Sequence, residues 1–144
     1  ELVTEIKNYS LFRTYRCSPM TLFELQETVL KYINKQEKEI PFWNLITQPY
    51  SSLEDRCKNI AKSISFSTSI EKGESVIGGG TLPDVTLESP ILLINNEKTV
   101  DTVNQLIKND IPIVPRIIKD QVCLDLRSVF HNQDDIIVQA LNNS

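Results

Sequence analysis

The chain has little of what most often carries chemistry or special backbone geometry: four glycines, three cysteines, one histidine and one tryptophan in 144 residues. A single histidine, His131, with no serine or cysteine motif to serve, cannot complete a nucleophilic triad. Its position ahead of the last predicted helix makes it a cap or a surface residue. Cys17, Cys57 and Cys123 are odd in number, far apart and without a CxxC spacing. That pattern argues against a zinc site or a disulfide framework and suits reduced thiols in a cytoplasmic protein. No apolar run approaches the roughly 20 residues of a membrane span, and no signal-peptide pattern opens the chain. Excess positive charge is missing too. With 15 Lys and Arg against 19 Asp and Glu, the net charge is -4, which argues against a domain built mainly to grip nucleic-acid phosphates.

What is present is ordinary globular material, 40% hydrophobic and 24% charged, enough for one domain with a core. The opening "ELVTEIKNYSLFRTYR" has no initiator Met and starts inside a helical pattern. We expect it to be the tail of a longer protein.

Apolar spacing gives the elements. Residues 1–8 read as a helix end carrying Leu2 and Ile6. A second helix follows Ser18 as cap and Pro19 at its first position, with Leu22, Leu25, Val29, Tyr32 and Ile33 on one side, up to the charged "NKQEKE". "IPFWNLI" reads as a short connector. Ser51 and Glu54 have capping-box spacing and open a third helix, whose buried stripe is Leu53, Cys57, Ile60, Ala61 and Ile64. "SFSTSI" and "ESVIGG" alternate and predict two short strands around Gly73. "LESPILLINN" predicts a further strand, and "TVDTVNQLIKN" an amphipathic helix with Val100, Val103, Leu106 and Ile107. "IPIVPRIIKDQVCLDL" predicts a β-hairpin whose first arm Pro112 and Pro115 push to a sheet edge or a bulge. The last helix, "NQDDIIVQALNN", carries Asp134 and Asp135 in its first turn, where they favour the helix dipole. The fold class is α+β: a small antiparallel or mixed sheet covered by helices on one side.

Three features invite a functional reading. Arg13 and Arg16 are three apart, so on a helical turn they share a face. They form either a solvated basic turn or an anion clamp. Gly78, Gly79 and Gly80 with Thr81 lie in "GGGTLP", which lacks the Lys-Ser/Thr ending of a P-loop; as backbone they predict a turn needing positive φ or close approach. Arg116 and Arg127 flank the hairpin, and an Arg in an apolar strand needs a partner, either Asp125 or another carboxylate, or a ligand. The acidic residues form no metal-ligand pattern.

Taken together, "FRTYR", "GGGTLP", "IPIVPRI" and "VCLDLRSV", in that order, resemble bacterial selenocysteine synthases, the L-seryl-tRNA(Sec) selenium transferases. The resemblance runs from about Leu11 to Leu141 and concerns only the C-terminal part of such an enzyme. It implies the C-terminal small domain of a fold-type I pyridoxal-phosphate (PLP) enzyme. On this basis residues 1–144 are one small domain, with 1–50 a helical linker region from a missing large domain and 51–144 an α/β sandwich. The family converts seryl-tRNA to selenocysteinyl-tRNA: PLP takes the seryl amino group, water is eliminated, and selenium is added from selenophosphate. The family's R-x-x-R arginines help to bind that donor, and Arg13 and Arg16 match them. Gly78 to Thr81 would then form a turn on the active-site side. The family's lysine shortly after the second arginine is absent here, where Cys17, Ser18 and Pro19 stand, and "KDQ" replaces a glycine-containing hairpin turn. No lysine matches the PLP-bearing one, so catalytic residues are expected in none of the 144 positions. The implied partners are the large PLP domain of the parent protein, further copies in a homo-oligomer, and seryl-tRNA(Sec) through other regions, with no membrane. Two other readings stay open: a related PLP lyase acting on a small amino acid or amino sugar, and a non-catalytic binding or assembly module.

Overall fold

A computed structural model describes residues 1–78 and 85–143. The chain divides into two compact units, Glu1–Trp43 and Asn44–Ser144.

The first unit is helical. Helix α1 (Leu2–Asn8) leads into a 3₁₀ turn at Ser10–Arg13, and helix α2 spans Pro19–Ile33. As expected, α2 begins with Pro19 in its first turn, and the Ser18 hydroxyl accepts the Thr21 N–H at 3.1 Å. This cap satisfies one of the donors that a helix start leaves open. A second 3₁₀ turn, Glu37–Glu39, is followed by helix α3 (Pro41–Ile46). The stretch expected to be a mere connector is therefore partly helical, with Pro41 opening a short helix. The Trp43 indole donates to the Tyr32 hydroxyl at 2.6 Å. No residue of this unit is buried. Its apolar side chains lie open, among them Leu22, Phe23 and Leu25.

The second unit is a four-stranded antiparallel sheet of order β1-β2-β4-β3 with helices packed on it, which confirms the α+β class. Helix α4 spans Tyr50–Ser63, β1 Ser67–Val76, β2 Thr86–Asn95, α5 Thr99–Lys108, β3 Arg116–Ile118, β4 Gln121–Asp125 and α6 Asp134–Asn142. Strands β1 and β2 pair along all ten residues, from Ser67 opposite Asn95 to Val76 opposite Thr86. Because side chains alternate along a strand, Leu92 and Ile94 enter the main core with Leu53, Cys57, Ile60, Leu106, Val122, Leu126, Ile137 and Leu141. Ile91, Leu93 and Cys123 form a smaller cluster of their own. Burying each large aliphatic side chain stabilises by about 1.5–3 kcal/mol, so Leu53, Ile60 and Ile64 of the predicted stripe contribute, with Cys57 buried beside them and Ala61 packed against the core. Of the residues predicted for α5, Leu106 is buried and Val103 packs against the core, while Val100 and Ile107 are exposed.

Two local expectations are overturned. Strand β1 does not break at Gly73. It runs straight through, with Gly73 opposite Ser89, and a Cβ at position 73 would lie 2.5 Å from Ile91 Cγ1. The glycine clears room for the Ile91 side chain instead of turning the chain. Helix α4 does not use the Ser51–Glu54 capping box. Pro49, at φ -62°, is the cap residue, the helix starts at Tyr50, and Glu54 is bonded to Lys58 at 2.6 Å. Proline's fixed φ presets the helix entry two residues earlier than a Ser51 cap would.

The β3–β4 hairpin forms as predicted, and β3 is an edge strand of three residues, kept short by the prolines before it. Its turn places Lys119 and Asp120 at φ 51° and 61°, the left-handed pair that a two-residue type I′ loop demands. Lysine adopts this region only at a cost, and aspartate, though it tolerates it better than most, does so less readily than glycine. Changing Lys119→Asn and Asp120→Gly together should therefore raise the unfolding free energy by about 1 kcal/mol, visible as a higher melting temperature. The Thr99 hydroxyl bond to the Asp120 carbonyl, 2.5 Å, needs no side chain at 120 and should survive.

Candidate functional site

Arg13 ends the Ser10–Arg13 turn and Arg16 follows just beyond it, where the Arg16 N–H reaches the Arg13 carbonyl at 3.4 Å. Both side chains are exposed. Among the described residues neither guanidinium meets a carboxylate or makes a side-chain hydrogen bond, whereas Arg56 and Arg116 both do. The pair is interleaved with exposed Phe12 and Tyr15. Chemically the segment offers two unneutralised planar cations, the donor type best matched to a tetrahedral oxyanion.

Of the glycine run, only Gly78 is described; Gly79, Gly80 and Thr81 lie outside the described residues. At Gly78 the expected reason for glycine fails. Its φ is not positive, and an added Cβ would meet nothing within 4 Å.

In the second unit, Asp125 gathers the polar groups at the end of β4. Its Oδ2 accepts the Ser75 hydroxyl at 2.5 Å and Arg116 Nη2 at 3.3 Å, while Oδ1 accepts the Ser89 hydroxyl at 2.9 Å and the Arg127 N–H at 3.1 Å. Arg116 thus has the carboxylate partner its sequence context demanded, and a second bond to the Glu74 carbonyl at 3.4 Å. Arg127 does not. Its guanidinium is buried and donates to three backbone carbonyls, Ile46 at 3.0 Å, Gln48 at 2.9 Å and Glu88 at 2.6 Å, and its Nε is buried with no partner. The side chain therefore ties residues 46–48 to the start of β2.

Sequence reasoning passed over Arg56. Its guanidinium grips Asp134 in a two-pronged pair, Nε to Oδ2 at 2.9 Å and Nη2 to Oδ1 at 2.6 Å, and also reaches Gln48 and the carbonyls of Leu126 and Val129. The available signal was position: Arg56 sits on the apolar stripe between Leu53 and Ile60, where a charge is buried and must be paired. Next to it, burial pushes the Cys57 thiol up to about 12, with the Arg56 charge pulling weakly the other way. Burial raises Cys123 as well. Both are packing thiols, held in the protonated form and so poor nucleophiles. All three cysteines are free, His131 is exposed in a 3₁₀ turn before α6, and no group of acidic, His or Cys side chains among the described residues could hold a metal. No described helix is long and apolar enough to cross a membrane.

The family model for L-seryl-tRNA selenium transferase (SelA) matches residues 1–130. The L-seryl-tRNA(Sec) selenium transferase of Clostridium perfringens is 30% identical over 151 aligned residues, covering 98% of this chain and 32% of the relative. Those of Campylobacter jejuni and Campylobacter fetus are 28% and 30% identical over 99% of the chain and 32% and 31% of their own lengths. The chain therefore spans about a third of the length of the curated relatives it matches. The match takes in the exposed Arg13–Arg16 segment and the Asp125 cluster alike, and on it the chain belongs to the L-seryl-tRNA selenium transferase family.

Proposed function

We propose that this chain is the C-terminal small domain of a cytoplasmic, PLP-dependent L-seryl-tRNA(Sec) selenium transferase, and that Arg13 and Arg16 hold the selenophosphate anion. The observation that carries this reading is the pair of exposed guanidiniums without a carboxylate partner among the described residues. In a chain of net charge -4, two arginines left unneutralised three residues apart are placed for an external anion.

The residues present do not fit PLP itself. The cofactor's lysine must lose its proton to bond covalently, which burial favours and a nearby carboxylate opposes. No lysine among the described residues is buried. Lys58 and Lys72 are hydrogen-bonded to Glu54 and Glu88, which raises their pKa. Covalent PLP chemistry thus belongs to a part of the enzyme that this chain does not span. The first unit supports such a partner. Forty-odd residues with no buried side chain cannot sustain a fold unaided, and the open apolar faces of α1 and α2 suit packing against a large domain and further copies.

The test is made on the whole enzyme carrying this chain. Arg13→Ala or Arg16→Ala should raise KM for selenophosphate by about 10-fold or more, the loss of one charge-assisted hydrogen-bonding group. Affinity for seryl-tRNA should stay unchanged. Equal weakening toward both substrates, or none toward selenophosphate, would remove the donor-site role.

A further inference from the structure

A cavity of about 610 Å3 opens beside the Asp125 cluster, within the range of small-molecule sites. Its walls are apolar, drawn from the segment before β3 (Ile111 and Val114) and from the approach to and first turns of α6 (Val129 and Ile136). Arg116 and Gln133 also line it, and their donors are not used up. Arg116 spends one N–H of each terminal nitrogen on Glu74 and Asp125, which leaves its Nε–H and a second N–H on each terminal nitrogen. Gln133 uses its side-chain oxygen as acceptor for the Phe130 N–H, so its amide N–H groups remain available. Among the described residues the only carboxylate on the lining is Asp125, and each of its oxygens already accepts two hydrogen bonds. Among the described lining residues the open donors of Arg116 and Gln133 thus outnumber the open side-chain acceptors, of which the Ser128 hydroxyl oxygen, donating its proton to the Asp125 carbonyl, is a neutral one, and most of the rest is apolar.

We propose that this cavity binds a small monocarboxylate with a branched apolar body, its carboxylate on Arg116 and Gln133 and its hydrocarbon among Ile111, Val114, Val129 and Ile136. The donor excess selects the anion. The filled Asp125 selects against an amino acid, whose ammonium group would meet Arg116 and find no free carboxylate. The site is independent of the selenium-transfer reading, since it uses neither Arg13 nor Arg16 and lies within the second unit.

The test uses the full chain and 4-methylpentanoate as probe, followed by calorimetry and by amide chemical shifts of residues lining the cavity. Saturable binding is expected. It should weaken about 10-fold or more for 4-methylpentanamide, the same shape without charge, and for leucine, the same skeleton with an ammonium group. Arg116→Gln should weaken binding of the carboxylate by a similar factor and leave that of the amide unchanged. Arg116 is 44% exposed on its side chain and Val114 is 80% exposed, so neither holds the core. Val114→Glu, which places a negative charge at the rim, provides a second variant that should also reduce binding. Absence of saturable binding overturns the proposal, as does equal affinity for acid and amide, tight binding of leucine, or indifference of the carboxylate to Arg116→Gln in a variant that melts like the parent.

Discussion

Arg56→Ala should lower the unfolding free energy, read from urea denaturation, by about 3–5 kcal/mol. The guanidinium is 4% exposed on its side chain and its partner Asp134 16%, so the pair lies largely out of water. Removing one member leaves a carboxylate without its counter-charge and strips the carbonyls of Leu126 and Val129 of a donor. A small domain holds only about 5–15 kcal/mol in total, so the variant should lose a large share of its stability. Arg56→Lys should recover less than half of the loss, because one ammonium cannot span both oxygens of Asp134 and two carbonyls at once. The double variant Arg56→Met with Asp134→Leu should be more stable than either single change, since it leaves no orphaned charge. A single-variant loss below about 1 kcal/mol would mean that water replaces the guanidinium freely.

Arg127→Ala should destabilise by about 2–4 kcal/mol, from three carbonyls losing their donor at about 1 kcal/mol or more each. The damage should be local in a readable way. Amide exchange should speed up around residues 46–48 and at the start of β2, while the β3–β4 hairpin stays protected. In the whole enzyme, selenophosphate KM should be unaffected at temperatures where the variant is folded. A raised KM with normal stability would instead return Arg127 to the substrate site that its strand context first allowed.

The contrast between these two arginines shows how far the sequence could be read. Elements defined by apolar period were legible: the α4 stripe of Leu53, Cys57 and Ile60, the helix behind Ser18 and Pro19, and the hairpin around "KDQ" depend on spacing within one segment. What failed depended on contacts between segments. Gly73 carries a turn signal locally, but its role is set by Ile91, eighteen positions away. Asp134 does stand in the first turn of α6 as read, but its pairing with Arg56, 78 positions distant, was out of reach. The three carbonyls that Arg127 holds are scattered along the chain and leave no trace in sequence. For the candidate site, the R-x-x-R spacing of Arg13 and Arg16 was legible as a pattern, and the structure adds that both are exposed and have no carboxylate partner among the described residues. The donor-rich cavity at Arg116 was not legible, since it arises only where the segment before β3 meets the start of α6.

The position of β1 has a consequence for the chain's life in solution. Segment 91–94, Ile-Leu-Leu-Ile, is uncharged, β-prone and apolar, the kind of stretch that seeds fibrils when it is bared. In the sheet it lies in β2, paired on one side by β1 and on the other by β4, so neither of its edges is free to recruit another chain. Of the sheet's two outer edges, one is the three-residue β3 and the other is β1, where Glu71, Lys72 and Glu74 stand exposed, charges that disfavour an incoming strand. Pro90 ahead of the segment removes one backbone donor as well. The long first hairpin thus acts as a sheath over the most aggregation-prone sequence in the molecule.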